Sequence, residues 1–404
     1  MSTVTDRRDL ISEMIEADAT KRAPGLSEIT LPTHKSEEYR FTPIHRVLEK
    51  AFPKWPTTPA QGKLSNIDEY LVPGLDSDVA VILNGYFSEK LSKLTGTYSV
   101  GTMKGQTAHS STDPFAQLNN ALWNDGISVI AKKQTTRPLF ILNINDGSAP
   151  QAIHSRLKVV VESGASASII QKSVAAGTNP VFQTLTEDIE VRDNARFDFV
   201  KIQNTGIIEV CNTSIDQKDS SHVNTFTLML DGKLVRNNLS ISIDGEHCES
   251  HFHGLSLLKG ETIGDHHTVV DHRKPNSFSN ELYKGVMDEK SKGVFNGKIF
   301  VRPHAQKTNA FQSNRNILLT DQATINTKPQ LEIWADDVKC SHGCTTGQLD
   351  DEALFYLRSR GIGKEDARAM LLYAFAMQTT EYVPAGPLKV YIDSLISKRL
   401  YGGQ

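Results

Sequence analysis

The chain has 404 residues and a net charge of -3. That length allows one large core or two to three domains, and the near-neutral charge gives no argument for nucleic acid or an anionic membrane surface as a partner. No apolar run approaches the ~20 residues a membrane-spanning helix needs, and four cysteines, Cys211, Cys248, Cys340 and Cys344, suit free thiols in a reducing cytosol rather than a disulfide framework.

The chain opens on MSTVTDRRDLISEMIEADA, which is charged and amphipathic. It lacks the apolar core of a secretory signal, and its acidic residues argue against an organelle transit peptide, so a cytoplasmic protein is expected. Within Asp6 to Ala19, Leu10, Ile11, Met14 and Ile15 recur at helical spacing. Ser36 to Lys50 predicts a second helix starting near Pro43. A proline-rich connection, AFPKWPTTPAQGK, follows. Asp76 to Gly85 reads as a strand ending in a turn. Pro114 to Asp125 reads as an amphipathic helix with Phe115, Leu118, Ala121 and Leu122 on one face. Ile127 to Ile130 and Leu139 to Ile144 read as strands. Residues 1–150 are therefore expected to form a mixed α/β part.

From about Ile153 the texture changes. Helical periodicity disappears, and short β-rich runs such as Leu157 to Val161, Phe197 to Val200, Thr225 to Leu230 and Leu239 to Ile243 follow one another to Val338. Small polar turns separate them, among them Arg192 to Ala195, Lys218 to Ser221 and Asp244 to Glu246. The better-spaced turns recur roughly every 25 to 30 residues, a period that fits the rungs of a parallel, right-handed β-helix. A Greek-key sandwich also gives many short strands, but the segment is too long for one sandwich, and many inward candidates are Ser, Thr, Asn or His, which stack well on like residues. Residues 151–345 are read as this core. Residues 346–404 are read as a helical domain: Asp350 caps a helix from Asp351 to Arg360 that Gly361 closes. Lys364 to Gln378 and Pro387 to Leu400 carry apolar stripes. The spare apolar surface of these helices is expected to dock on the β-helix end or on a partner.

The densest set of soft ligands is Cys340-Ser341-His342-Gly343-Cys344. In a strand, residues two apart share a face, so Cys340 and His342 project together. Thiolate and imidazole suit iron, zinc and iron–sulfur clusters, but a cluster usually needs four ligands. The pair is half a site, or else a buried cysteine beside a hydrogen-bonded histidine. If the strand continues past Gly343, Cys344 adds a third ligand to that face; if the chain turns there, it diverges. His247, His251, His253, His266, His267 and His272 form a second cluster. It reads either as a metal site, since His251 and His253 share a strand face, or as histidines hydrogen-bonded between rungs with Asp265 and Asp271. Arg302, His304, Lys307, Asn309, Gln312 and Asn314 make a polar run that fits a channel lining, a dimer face or ordinary exposed strand. Phosphate-loop, nucleophile-elbow, dinucleotide-binding and Cys-x-x-Cys motifs are absent, so the chain is not expected to hydrolyse ATP itself.

TKPQLEIWADDVKCSHG followed by DDEALFYLRSRGI resembles the signature of the SufB/SufD family of iron–sulfur cluster assembly proteins. DHHTVVDH (Asp265 to His272), Val294-Phe295-Asn296-Gly297 and, more weakly, KSEEYRFTPI (Lys35 to Ile44) extend the likeness. Gly343 stands where the SufB branch has an acidic residue, which places the chain nearer SufD. The resemblance implies a β-helix flanked by helical parts and a scaffold rather than an enzyme. It also implies a heterodimer with SufB whose interface holds a transient cluster on Cys340 and His342, and no cofactor stably bound by the isolated chain; Cys344 departs from the family pattern and is a candidate ligand from its place on the strand alone. The SufC ATPase is expected to dock around Asp351, Glu352, Phe355, Tyr356, Arg358 and Arg360, and a homodimer is possible in isolation. The competing readings are a carbohydrate-active β-helix enzyme, which needs acidic or calcium-binding groups along one sheet, and a metal-dependent enzyme built on the histidine cluster.

Overall fold

A computed structural model describes residues 9–17, 29–33, 35–56, 59, 62–104 and 112–402, without the side chains of residues 15–17. The ends of the stretch expected to be helical from Asp6 to Ala19 therefore lie outside the described residues; its middle is the helix α1 (Leu10–Ala17). The remaining helices are α2 (Ile44–Ala51), α3 (Pro114–Leu122), α4 (Asp351–Ser359), α5 (Lys364–Met377) and α6 (Pro387–Tyr401). The strands are β1 (Asp78–Leu83), β2 (Tyr86–Phe87), β3 (Ser99–Thr102), β4 (Asp125–Ala131), β5 (Leu139–Asn145), β6 (Gln151–Val161), β7 (Ser166–Ala175), β8 (Val181–Val191), β9 (Arg196–Asn204), β10 (Ile208–Gln217), β11 (His222–Asp231), β12 (Leu234–Ile243), β13 (Glu249–Leu258), β14 (Ile263–His272), β15 (Phe278–Met287), β16 (Lys292–Val301), β17 (Asn309–Leu318), β18 (Thr324–Ile333) and β19 (Lys339–Gly347).

Parallel pairing distinguishes a β-helix from a sandwich, and it is parallel from β4 and β5 onward. Odd-numbered strands stack as β5-β7-β9-β11-β13-β15-β17-β19 in one sheet, here sheet A. Even-numbered strands stack as β4-β6-β8-β10-β12-β14-β16-β18 in the other, sheet B. Each turn of the solenoid contributes one strand to each. The strands of sheet A begin at Arg196, His222, Glu249, Phe278, Asn309 and Lys339, a spacing of 26 to 31 residues that matches the expected rung period. Residue 150 does not mark a break in the ladders: β1 pairs in parallel with β5, and β4 with β6.

The corners explain the period. Asn194, Ser220, Asn276 and Lys307 each sit at a corner with positive φ, at 57°, 55°, 63° and 59°. Their amides donate to carbonyls of the next rung at Asp219, Glu246, Gln306 and Asp337. A left-handed residue at each corner turns the chain without breaking the backbone ladder. Inside, in-register columns of like side chains form the core. Val159, Ile189, Ile215, Ile241, Val270 and Ile299 make one continuous β-branched column, which Leu331 ends. All but Leu331 are buried, and each such burial stabilises by about 1.5–3 kcal/mol.

Both outer faces are covered, as parallel sheets require. Phe115, Leu118, Ile44 and Leu48 of α3 and α2 pack with Phe182, Ile208, Val210 and Leu234 of sheet B. Leu372, Ala376, Leu388, Ile392 and Ile396 of α5 and α6 pack on Val200, Phe226, Leu228 and Leu255 of sheet A. The C-terminal helices thus dock on the side of the wall rather than on its end. Three cations fasten them. Lys172 Nζ donates to the Tyr70 carbonyl (2.8 Å) and the Tyr391 hydroxyl (2.9 Å). Lys284 Nζ donates to the Phe375 carbonyl (2.8 Å) and to Gln378 Oε1 (2.5 Å) at the end of α5. Arg399 donates to the carbonyls of Leu257 (3.0 Å) and Leu230 (2.5 Å).

On sheet B the segment Lys35 to Ile44 is clasped to the strand that carries Asp265 to His272. It holds a 3-10 turn (Glu37–Tyr39), and α2 starts after Pro43. Thr42 Oγ1 donates to Asp265, Arg236 Nη1 donates to Asp265 Oδ2 (2.7 Å) and to the Glu38 carbonyl (2.8 Å), and the Arg236 guanidinium lies 3.7 Å from the centre of the Tyr39 ring. Glu38 takes hydrogen bonds from Lys298 (2.7 Å) and faces His267 (3.3 Å), while Glu37 pairs with Lys328 on β18. Burial alone would raise the Asp265 carboxyl, but the charges of His267 and Arg236 outweigh it and hold the group below the usual carboxylate range. Its stabilisation is complete above about pH 4 and is lost as the pH falls through the depressed folded value. Asp265→Asn leaves the Arg236 guanidinium, 2% exposed, without its counter-charge. We expect a loss of about 3–5 kcal/mol in urea unfolding at neutral pH; a loss below about 1 kcal/mol rejects the clasp as a main support of the N-terminal part.

Candidate functional site

The solenoid ends at β18 and β19. Each pairs with only one neighbour along its own sheet, β16 and β17 respectively. The next rung that would cover the interior is absent from the described residues, so the inward side chains of the last turn form an open mouth. On the β18 side this exposes Ile333, leaves Leu331 half-buried and places Thr327 at the rim. Val338 and Cys340 pack from the β19 side against the same apolar core.

The strand does not turn at Gly343. β19 runs unbroken through Gly343 to Gly347, so Cys340, His342 and Cys344 share a face. Register places them over Ala310, Gln312 and Asn314, all buried interior residues. Cys344 Sγ lies 2.9 Å from Thr327 Oγ1 across the mouth. Cys340 is half-buried and its thiol is pushed up by that burial, which a backbone hydrogen bond at Ala310 offsets only in part. His342 and Cys344 are exposed. Among the described residues no three His, Cys, Asp or Glu side chains converge closely enough to hold a metal ion. The mouth therefore offers soft ligands facing outward along the solenoid axis, with room for others to approach.

The floor beneath is polar. Asn316 Nδ2 donates to Asn314 Oδ1 (2.6 Å), whose amide donates to the Tyr283 carbonyl (3.2 Å). Gln312 Nε2 and Thr268 Oγ1 both donate to Glu281 Oε2, each at 2.9 Å. Of the polar run noted in the sequence, Gln312 and Asn314 lie in the interior, whereas Arg302 turns outward to a two-pronged pair with Asp271 at 2.7 and 3.0 Å. Thr327 and Glu281 were missed. Their signal was the rung spacing itself, which sets Glu281, Gln312 and His342 in one column.

The histidine cluster is dispersed: His247 is exposed at the corner between β12 and β13, and the other five lie on three surfaces. His251 and His253 lie on the outer face of sheet A and stack on Tyr382, with centroids 4.7 and 4.2 Å away. His267 joins the clasp on the outer face of sheet B. His266 and His272 are interior, bonded to Ser256 (3.1 Å) and Ser279 (2.8 Å). Hydrogen bonds to Asp265 and Asp271 between rungs do not form: His267 meets Asp265 along its own strand (3.1 Å), and Asp271 is taken by Arg273 and Arg302. Burial lowers His253 to about 3 and His266 and His272 to about 4, so these rings stay neutral at physiological pH. Cys211 lies in the interior beside Glu209 and Gln203, its thiol pushed well up by burial. Cys248 sits at a corner, donating to the Lys218 carbonyl (3.1 Å).

The four thiols should therefore differ in reactivity. With iodoacetamide under native conditions, Cys344 is expected to alkylate first, Cys340 more slowly, and Cys211 and Cys248 only on unfolding. Peptide mass mapping over time checks the order, and early labelling of Cys211 contradicts it.

Comparison with known proteins gives this geometry its context. Residues 141–375 match the SufBD core domain of the SUF system for FeS cluster assembly. The chain is 31% identical to the iron-sulfur cluster assembly protein SufD of Escherichia coli, over 96% of both chains. It is also 31% identical to an iron-sulfur cluster assembly SufBD family protein of Synechocystis sp., over 93% of this chain and 88% of that one. A chloroplastic protein of Arabidopsis thaliana is 32% identical over 57% of this chain and 49% of its own length. The mouth, the solenoid behind it and the helices beside it thus lie on a chain that belongs to the SufBD family of iron–sulfur cluster assembly proteins and is SufD-like.

Proposed function

We propose that this chain is a non-catalytic scaffold subunit that pairs through its open solenoid end with a SufB-type partner and presents Cys340 and His342, with Cys344 beside them, to a cluster built across the interface. The cluster is cargo, held transiently and completed by ligands from the partner. The observation that carries this reading is the uncapped mouth. A stacked-rung wall needs a capping repeat or a neighbour to shield its interior, and two free strand edges favour addition of further strands. The apolar side of the mouth, Leu331, Ile333 and Val338, supplies surface to bury. The polar side carries the soft ligands, and thiolate with imidazole is the donor set iron–sulfur chemistry uses.

The helix α4 is the second docking surface, for a SufC-type ATPase. It has no buried residue, packs chiefly against α5, and leaves Phe355 and Tyr356 exposed at 73% and 57%. Asp351, Glu352, Arg358 and Arg360 surround them, all exposed. Two bare aromatics ringed by charges match the make-up of an interface hot spot. The reading of the histidine cluster as an enzyme site has no comparable support, since its members do not converge. Among the described residues no helix is long and apolar enough to cross a membrane.

Cys340→Ala and His342→Ala are expected to leave the fold and the complex with both partners intact but to impair iron–sulfur delivery in cells that depend on this chain. Normal maturation of iron–sulfur enzymes in His342→Ala cells rejects the ligand role. Phe355→Ala is expected to weaken co-purification of the ATPase by about 2 kcal/mol, or roughly thirtyfold in Kd, without affecting the SufB-type partner. Retention of both partners at wild-type affinity rejects α4 as the docking site.

A further inference from the structure

Two rungs below His342 lies an acid without a counter-ion. Glu281 is fully buried. Its Oε2 accepts from Thr268 and Gln312, while its Oε1 is buried without a partner, as is Oε1 of Gln312. No Lys, Arg or His pairs with it among the described residues. The titratable groups that face this part of the interior are Tyr283 on β15, His266 and His272 on β14 and, deeper, Lys201 on β9. The histidines are bonded to serines, and Lys201 is paired with Glu187 at 2.6 Å. An ionised carboxylate here would leave a negative oxygen with neither donor nor cation, which a dry interior disfavours. In keeping with this, burial raises the Glu281 carboxyl to about 7, the hydrogen bonds from Gln312 and Thr268 opposing it only in part.

The placement is built into neighbouring strands. Glu281, Gln312 and His342 occupy one column in register, which sets Glu281 about 10 Å from the His342 position at the spacing of parallel strands. Gly297, in the Val294-Phe295-Asn296-Gly297 motif, makes the bridge possible. A Cβ there would lie 2.3 Å from Gln312 Nε2, so only glycine leaves the amide room to reach Glu281.

We propose that Glu281 is the charge-compensating carboxyl of the Cys340–His342 site, a neutral acid while the mouth is empty and a carboxylate once a divalent cation is bound there. This inference rests on the ligand reading proposed above. When the cation binds, the Cys340 thiol and the Glu281 carboxyl each release one proton to solvent. The cation gains bonds to the Cys340 sulfur and a His342 ring nitrogen. One thiolate and one carboxylate then balance its two positive charges, and no atom changes oxidation state. Glu281 touches neither the cation nor its ligands and acts through the field alone.

The test uses Co2+ as probe on the full-length chain, titrated anaerobically at about pH 6.5, below the Glu281 value. Calorimetry in two buffers of different protonation enthalpy counts protons released per ion. Wild type is expected to release up to one proton more per ion than Glu281→Gln, which keeps the shape of the neutral acid and is expected to bind on the order of tenfold more weakly. Isotope-edited infrared gives an independent readout: a buried carboxylic acid carbonyl band is expected in the metal-free wild type, lost on Co2+ addition and missing from Glu281→Gln. If Co2+ binds, and binding is abolished by Cys340→Ala or His342→Ala, but Glu281→Gln matches wild type in affinity and proton count, this proposal fails and the ligand reading stands. If wild type does not bind Co2+, or binds it equally well without Cys340 and His342, this proposal fails, while the ligand reading, which takes its remaining ligands from the partner, is judged by the His342→Ala maturation test.

Discussion

A wall made of stacked parallel rungs shields its interior everywhere except at its two ends. Along its length each inward side chain is covered above and below by its counterparts in the neighbouring turns, and each backbone amide finds a carbonyl one rung away. The column from Val159 to Ile299 is a product of this repetition, and so is the half-burial of Leu331 where the repetition stops. At the first end the antiparallel strands β2 and β3 flank the initial rungs. At the other the chain leaves β19 directly for α4, and among the described residues no further rung covers the mouth. The feature that makes the interior stable also fixes where it lies open, and the sulfur and imidazole donors stand in that opening.

The interior is not uniformly apolar. Apolar columns of β-branched and aromatic residues run beside polar ones that hold Lys201, Glu187, Thr213, His266, Glu281, Gln312 and Asn314. Each buried polar side chain in such a wall has to find its partner across a rung or across the gap between sheets, because solvent does not reach it. Most do: Lys201 with Glu187 and Thr213, Gln203 with Glu209 and Asn237, His266 with Ser256. Those that do not, such as Glu281 Oε1, mark places where packing alone does not account for the residue chosen.

Much of this was legible in the sequence. The rung period, the corner turns at Arg192 to Ala195 and Lys218 to Ser221, and the caps of α4 follow from local chemistry that tertiary contacts do not override. The side-by-side placement of Cys340 and His342 needed only the two-residue repeat of a strand. What stayed hidden is what depends on register. A single sequence does not state how many residues each corner consumes, and with rungs varying between 26 and 31 residues an error of one reverses a column from inside to outside. That is why Glu281 was not linked to His342. It is also why six histidines close together in sequence read as a cluster when the structure disperses them. The meeting of Lys35 to Ile44 with Asp265 to His272 was hidden for another reason: more than two hundred residues separate these segments, and only the folded wall brings Thr42 to Asp265.

The way the C-terminal helices are fastened has a mechanical consequence. Lys172, Lys284 and Arg399 tie α5, α6 and the loops around them to β7, β15, β11 and β13, four strands spread over the middle of sheet A. Peeling one edge strand breaks hydrogen bonds in sequence and takes little force. Loading several strands at once in shear requires many to break together. A pull on α4, transmitted through α5, is thus delivered broadside to the wall and not to the exposed rim, so the stack can tilt as one stiff lever without unravelling from its open end.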